Sequence, residues 1–156
     1  MKKFAQALLI MLLLFGTALA QVLTVNEVPP VVKNSFRNRF PGVKRVEWKF
    51  KYNRNYEAGF MLKGKEIAVK FDSTGKWLET ESAASRASVP SEVLDTIAQH
   101  FKGYKVVEIQ TVQSWNDQHV VWEIHLEGAN EIVKAQFNGN GTIISRSAKP
   151  KSDKKK

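Results

Sequence analysis

The 156-residue sequence contains no cysteine. This excludes a disulfide framework, a thiolate zinc site, an iron–sulfur cluster and a cysteine nucleophile. Histidine is scarce, at His100, His119 and His125. No His-Glu-x-x-His occurs, and no third ligand stands at a suitable spacing from His119 and His125. By strand parity His125 falls on the polar face of a strand, where it is expected to be solvated. A Gly-x-Ser-x-Gly nucleophile elbow is absent. Ser73-Thr74-Gly75-Lys76 lacks Walker spacing and lies between two strands, so it reads as a turn. Asp72 has no acidic neighbours to complete a calcium shell and suits an Asx turn. Glu47, Glu57 and Glu66 are interleaved with Lys and Arg, the pattern of cross-strand ion pairs. No catalytic residue, metal or cofactor is expected, and the chain does not read as an enzyme.

Long apolar runs are also missing. The longest, Leu8 to Phe15, is shorter than the roughly 20 residues that span a bilayer. It follows Met1-Lys2-Lys3 and precedes Ala18-Leu19-Ala20. Residues 1–20 are therefore expected to be a secretory signal cleaved after Ala20, leaving no transmembrane segment. No cysteine follows for lipidation. The expected compartment is a bacterial periplasm, with full secretion as the alternative.

What remains has the composition of a folded chain, with 43% hydrophobic residues. It also carries an internal repeat. Val28-Pro29 recurs as Val89-Pro90, and Val32, Phe36 and Phe40 recur as Val93, Ile97 and Phe101. Gly42, Val46 and Glu47 fall on Gly103, Val107 and Glu108, and Phe71-Asp-Ser-Thr-Gly75 falls on Phe137-Asn-Gly-Asn-Gly141. The offset grows from 61 to 66, which places an insertion near Ser114-Trp115-Asn116-Asp117.

Each repeat opens with apolar residues four apart, one face of a helix preceded by proline and followed by glycine. Period-two strands follow. Val46, Trp48, Phe50 and Tyr52 alternate with charged residues, and Tyr56-Ala58-Phe60-Leu62 and Ile67-Val69-Phe71 continue the pattern. The second repeat has Val107-Ile109-Thr111, Val120-Trp122-Ile124-Leu126 and Val133-Ala135-Phe137. Short last strands are expected at 76–81 and 142–146. The fold class is α+β, a tandem repeat of one helix plus four antiparallel strands. The helix must cover the apolar sheet face and leave the other face polar. The boundaries are 28–81 for the first repeat, 82–88 for a linker, 89–147 for the second repeat and 148–156 for a disordered basic tail.

The motifs Val28-Pro29, Phe40-Pro41-Gly42, Trp48, Tyr56-Glu57-Ala58-Gly59-Phe60 and Phe71-Asp72-Ser73-Thr74-Gly75 resemble the PepSY-like family. These are small exported bacterial proteins similar in fold to the β-lactamase inhibitor protein. The resemblance implies an antiparallel sheet of about eight strands with helices on one face, and a binding or inhibitory role in the periplasm. It transfers no catalytic residue. The second repeat departs from the pattern at Lys102, at Trp122-Glu123-Ile124-His125-Leu126 and at Asn138.

Most aromatic residues fall on the apolar strand faces. Trp115 does not, because it lies at the insertion among Ser114, Asn116 and Asp117. The corresponding loop of the first repeat runs from Tyr52 through Arg54 to Tyr56. Exposed Trp, Tyr and Arg are common interface anchors. Tyr52, Arg54, Tyr56 and Trp115 are therefore the candidate partner-binding residues, together with the adjacent polar sheet face.

The net charge of +9 suggests nucleic acid at first sight. Its distribution argues otherwise. Residues 28–81 hold twelve Lys/Arg against six Asp/Glu, and residues 89–147 hold four against seven. A polarised pair of repeats orients a charged protein partner better than it holds a polyanion. The expected function is a periplasmic non-enzymatic binding module for another periplasmic or secreted protein, with inhibition or regulation of a secreted hydrolase as its specific form. Small-molecule or envelope-polymer binding and a structural accessory role in the envelope are the alternatives.

Overall fold

The computed structural model describes residues 21–51 and 53–151. The expected signal segment, Tyr52 and the last five residues lie outside the described residues. Nine strands form one antiparallel meander in which every strand pairs with its sequence neighbours, in the order β1 to β9. They are β1 (Gln21–Leu23), β2 (Glu47–Phe50), β3 (Tyr56–Leu62), β4 (Lys65–Phe71), β5 (Trp77–Ala83), β6 (Lys105–Ser114), β7 (Asp117–Glu127), β8 (Glu131–Phe137) and β9 (Ile143–Pro150). Helix α1 (Pro30–Arg39) precedes β2, and α2 (Ser91–His100) precedes β6.

The helices form where the four-residue apolar spacing places them. Val32 and Phe36 are the buried residues of α1, and Val93 and Ile97 those of α2. Both helices have a proline at the N-cap, Pro29 and Pro90, where a missing N–H costs no helical hydrogen bond. Both stop just before a glycine in the left-handed region, Gly42 at φ 87° and Gly103 at φ 84°.

Register decides which side chains share a face. Trp48 pairs with Ala58, and Ala58 with Val69. Trp122 pairs with Phe137, and Ile124 with Ala135. Ile67, Ser82, Thr111 and Trp122 line up across the centre, so the apolar residues of all these strands face the same side. Two separate cores result on that side. In one, Phe36 of α1 meets Trp48 and Phe60 edge-on, at ring-centroid distances of 5.4 and 5.3 Å. In the other, Val93 and Ile97 of α2 pack with Ile124, Leu126, Val133, Ala135 and Phe137.

The turn between β4 and β5 is closed by Asp72, whose Oδ1 accepts from Thr74 N at 2.8 Å and Lys76 N at 3.0 Å. Thr142 N donates to Asn138 Oδ1 at 2.9 Å in the turn between β8 and β9. That second turn runs tight under α2. Gly141 has φ 84°, and a Cβ there would lie 2.5 Å from the Glu92 carbonyl oxygen.

The strand boundaries differ from expectation in three places. The sheet has nine strands instead of about eight, because Gln21–Leu23 pairs with β2, Leu23 opposite Trp48. Three residues are too few to show a period in the sequence. The last strand continues through Ala148-Lys149-Pro150, residues expected in the tail, because β8 offers them partners from Val133 back to Glu131. The insertion makes no long loop. Ser114 pairs directly with Asp117, leaving Trp115-Asn116 as the turn, and the added residues lengthen β6 and β7 and enter two bulges.

Candidate functional site

The side of the sheet away from the helices carries the charged residues. Lys49, Glu57, Lys70 and Glu79 stand in one row across β2 to β5. Glu108, His125 and Lys134 stand in another across β6 to β8, and Gln110, Glu123 and Gln136 in a third. This face is not flat. A trough of about 1530 Å³ runs along it, with Arg45, Glu47, Met61, Glu66 and Ala84 among its walls and Lys70, Glu81, Glu123 and His125 in its floor.

The floor is a preorganised array of paired charges. Lys51 Nζ lies 2.9 Å from Glu57 Oε1. Lys70 Nζ donates to Glu79 Oε1 at 2.5 Å and Glu81 Oε1 at 2.7 Å. Burial alone would depress the Lys70 pKa, but the carboxylates of Glu81 and Glu79 outweigh it and hold the ammonium above the ordinary lysine range.

Glu123 is the most enclosed of these groups, at 1% exposure. Its carboxylate accepts from Gln110 Nε2 at 2.6 Å and Gln136 Nε2 at 2.8 Å. The Lys134 ammonium stands 2.7 Å away. Burial pushes its pKa up, yet the bonds from His125, Lys134 and Gln136 prevail and bring it down to about 2. His125 is 4% exposed. Its Nδ1 lies 2.5 Å from Glu108 Oε2 and its Nε2 lies 3.2 Å from Glu123 Oε1. Burial works against the imidazolium, and the two carboxylates overcome it, so the pKa is raised above 6.5.

The structure thus corrects the solvated reading of His125. Parity assigns the polar face correctly, but long side chains from both neighbouring strands cover the ring. His119, by contrast, is exposed and meets Asp117 at 2.8 Å. Of the three acids read as cross-strand pairs, Glu57 reaches Lys51, the residue just after the adjacent strand β2, while Glu47 pairs within its own strand, with Lys49 at 2.8 Å. Glu66 has no ion pair among the described residues, and burial followed by the neighbouring Glu108 raises its pKa.

Of the four candidate residues, Arg54, Tyr56 and Trp115 stand at one end of the sheet, and none of these three lines the trough. Tyr52 lies outside the described residues. Arg54 is exposed with φ 64° in the turn after β2. Tyr56 is half-buried on the helix side, its ring 5.2 Å from Phe50. Trp115 is 53% exposed, and Lys76 Nζ sits 3.2 Å above its ring. The cation comes from the β4–β5 turn, which lies between the 51–55 turn and Trp115 in the strand order. The trough residues Lys70, Glu81, Glu123, His125 and Lys134 were not singled out from the sequence as a binding set. The available signal was the charge at alternate positions of β4, β5, β7 and β8.

Among the described residues, no group of three or more His, Asp or Glu is placed to hold a metal ion. No helix among them is long and apolar enough to cross a membrane.

The family model for beta-lactamase-inhibitor-like, PepSY-like proteins matches residues 54–145, more than half of the chain. A DUF2874 family protein from Bacteroides uniformis has a similar structure, with TM-score 0.70 and 21% identity over 77% of this chain and 88% of that one. A protein from Bacteroides eggerthii described as periplasmic has TM-score 0.70 and 18% identity over 78% and 88%. A BLIP-like protein from Bacteroides fragilis has TM-score 0.67 and 18% identity over 82% and 91%. At these identities the likeness establishes the fold alone. No curated protein matches the sequence.

Proposed function

Since the chain belongs to the PepSY-like, beta-lactamase-inhibitor-like family, we propose that it is a non-enzymatic protein-binding module of the bacterial periplasm whose trough receives a partner. The observation that carries this reading is the trough itself. A cavity of about 1530 Å³ exceeds the roughly 300–1,000 Å³ of small-molecule sites, and suits a protruding segment of another protein. Its floor is rigid because its charges are already paired, so a partner that docks there orders few side chains. The walls add exposed apolar surface at Met61 and Leu62. The periplasmic setting rests on the secretory pattern of residues 1–20 and on the relative described as periplasmic.

The two segments 28–81 and 89–147 act in this reading as tandem repeats that share one sheet. Trp115 and Arg54 are proposed as further contacts at the hairpin end. Inhibition of a secreted hydrolase is the specific form we propose, on the likeness of the family to inhibitors.

The test is capture from a periplasmic extract, followed by titration of the recovered protein. A one-to-one partner whose affinity drops at least tenfold with Met61→Arg, and is unchanged with Ile144→Arg on the outer strand, supports the trough as the site. A partner indifferent to Met61→Arg sinks it. Activity assays on a recovered hydrolase decide whether binding inhibits.

A further inference from the structure

We propose that His125, Glu108 and Glu123 form a proton-operated clamp that sets the shape and charge of the trough. The proposal rests on the trough being the binding surface, and it adds a means of regulating that surface.

The geometry begins with a bulge. Between β6 and β7 the register jumps from Val106 opposite Leu126 to Glu108 opposite His125, with Val107 as the extra residue. Without that bulge Val107 would stand across from the imidazole. The bulge brings a carboxylate there instead, and such re-aiming of side chains is a recurrent use of bulges near sites. The ring is thereby placed between two acids, Glu108 on β6 and Glu123 two residues before it on β7.

The positive charge of an imidazolium draws both carboxylates, whereas the neutral ring carries no charge to hold either. The two acids are not equally held by other groups. Glu123 keeps Lys134, Gln110 and Gln136 whatever the state of the ring. Glu108 is partly exposed, at 37% of its side chain, and pairs with His125. Loss of the proton removes the charge that holds Glu108, whose partly exposed carboxylate can take water instead, while Glu123 stays held by its other partners. Its carboxylate turns into the trough, where Glu66 already stands close enough to feel its charge. The trough gains one negative charge and loses a tie between two floor strands.

The charged groups around the ring are Glu108 from β6, Glu123 from β7 and Lys134 from β8, with Glu66 of β4 reached through Glu108. Two acids against one ammonium favour the closed, protonated clamp. Since burial is outweighed by those acids, the opening lies on the alkaline side of ordinary histidine titration.

The experiment is an NMR pH titration of the isotope-labelled chain, following the His125 ring and the amides of Glu108, Gln110 and Glu66. The expected result is one shared midpoint above 6.5 for ring and amides. Glu108→Gln, at a partly exposed position, should lower the ring midpoint by about one pH unit. It should also detach the Glu66 amide from that midpoint. A ring that titrates while the trough amides stay flat overturns the clamp, as does an unchanged midpoint in Glu108→Gln. No partner is needed, so a shared midpoint supports the clamp even where capture from extract fails and the binding reading falls.

Discussion

The Lys134 ammonium on β8 stands 2.7 Å from the Glu123 carboxylate on β7, with the carboxylate 1% exposed. Two amides and an imidazole complete the shell of Glu123. Removing the acid would strand all four partners on the trough floor. Glu123→Ala should cost about 3–5 kcal/mol, the range for breaking one side of a buried pair. Glu123→Gln, which keeps the shape and an acceptor, should cost less. Urea denaturation at neutral pH ranks the two. Equal costs would show that only the charge of Glu123 matters and that its shape and acceptor contribute nothing.

The same residue predicts an acid limb. Its folded pKa is about 2 against 4.5 unfolded, a depressed carboxylate. The stability it contributes is fully present above 4.5 and is lost as pH falls toward 2. The gap between wild type and Glu123→Gln should therefore shrink by on the order of 3 kcal/mol across that window. Denaturation curves at pH 6 and near pH 2 measure it. A constant gap would mean that the carboxylate is not stabilised by its neighbours.

Glycine strain separates two positions that look alike. Gly42 and Gly141 both have φ near 85°, at 87° and 84°. A Cβ at Gly42 meets nothing within 4 Å, whereas one at Gly141 lies 2.5 Å from the Glu92 carbonyl oxygen. Gly42→Ala should cost about 1–2 kcal/mol, the left-handed penalty alone. Gly141→Ala should cost clearly more, because the turn must also leave the helix and stretch the 2.9 Å bond from Thr96 Oγ1 to Gly141 O. Matching denaturation midpoints for the two variants would overturn this.

Much of the architecture was legible because period two and period 3.6 act locally. Trp48, Ala58, Phe60, Val69 and Phe71 are buried where alternation puts them, and Val32 and Phe36 where helical spacing does. What escaped depends on partners distant in sequence. The three-residue β1 exists through Trp48, and the extension of β9 through β8. The bulge at Val107 has no local mark, so the meeting of Glu108 and His125 was hidden. The burial of Glu123 arises from Gln110, Lys134 and Gln136 on the two flanking strands, and alternation cannot tell a covered polar face from a wet one. Trp115 is the converse case. Its exposure was suggested by its polar neighbours, while Lys76 on its ring was not visible from them.

The two cores predict additivity. Val69 belongs to the cluster under α1 and Val133 to the cluster under α2, both fully buried. They sit four strands apart, about 19 Å at ordinary strand spacing. Each Val→Ala change should cost about 2 kcal/mol. The double variant should equal the sum within about 0.5 kcal/mol. A larger coupling, read from a double-mutant cycle, would show that the shared sheet transmits packing strain between the halves.

Trp115 and Trp48 predict opposite behaviour from one residue type. Trp48 is buried against Phe36, so Trp48→Ala should cost about 3–5 kcal/mol. Trp115 is half exposed and touches Lys76, an exposed cation–π contact worth about 0.5–1 kcal/mol. Trp115→Ala should therefore leave stability almost unchanged. If the hairpin end contributes to docking, the same variant should speed partner dissociation, because truncating an aromatic anchor acts mainly on off-rates. Surface plasmon resonance on a captured partner reads this directly. An unchanged off-rate in a folded Trp115→Ala protein would confine recognition to the trough and remove the hairpin end from it.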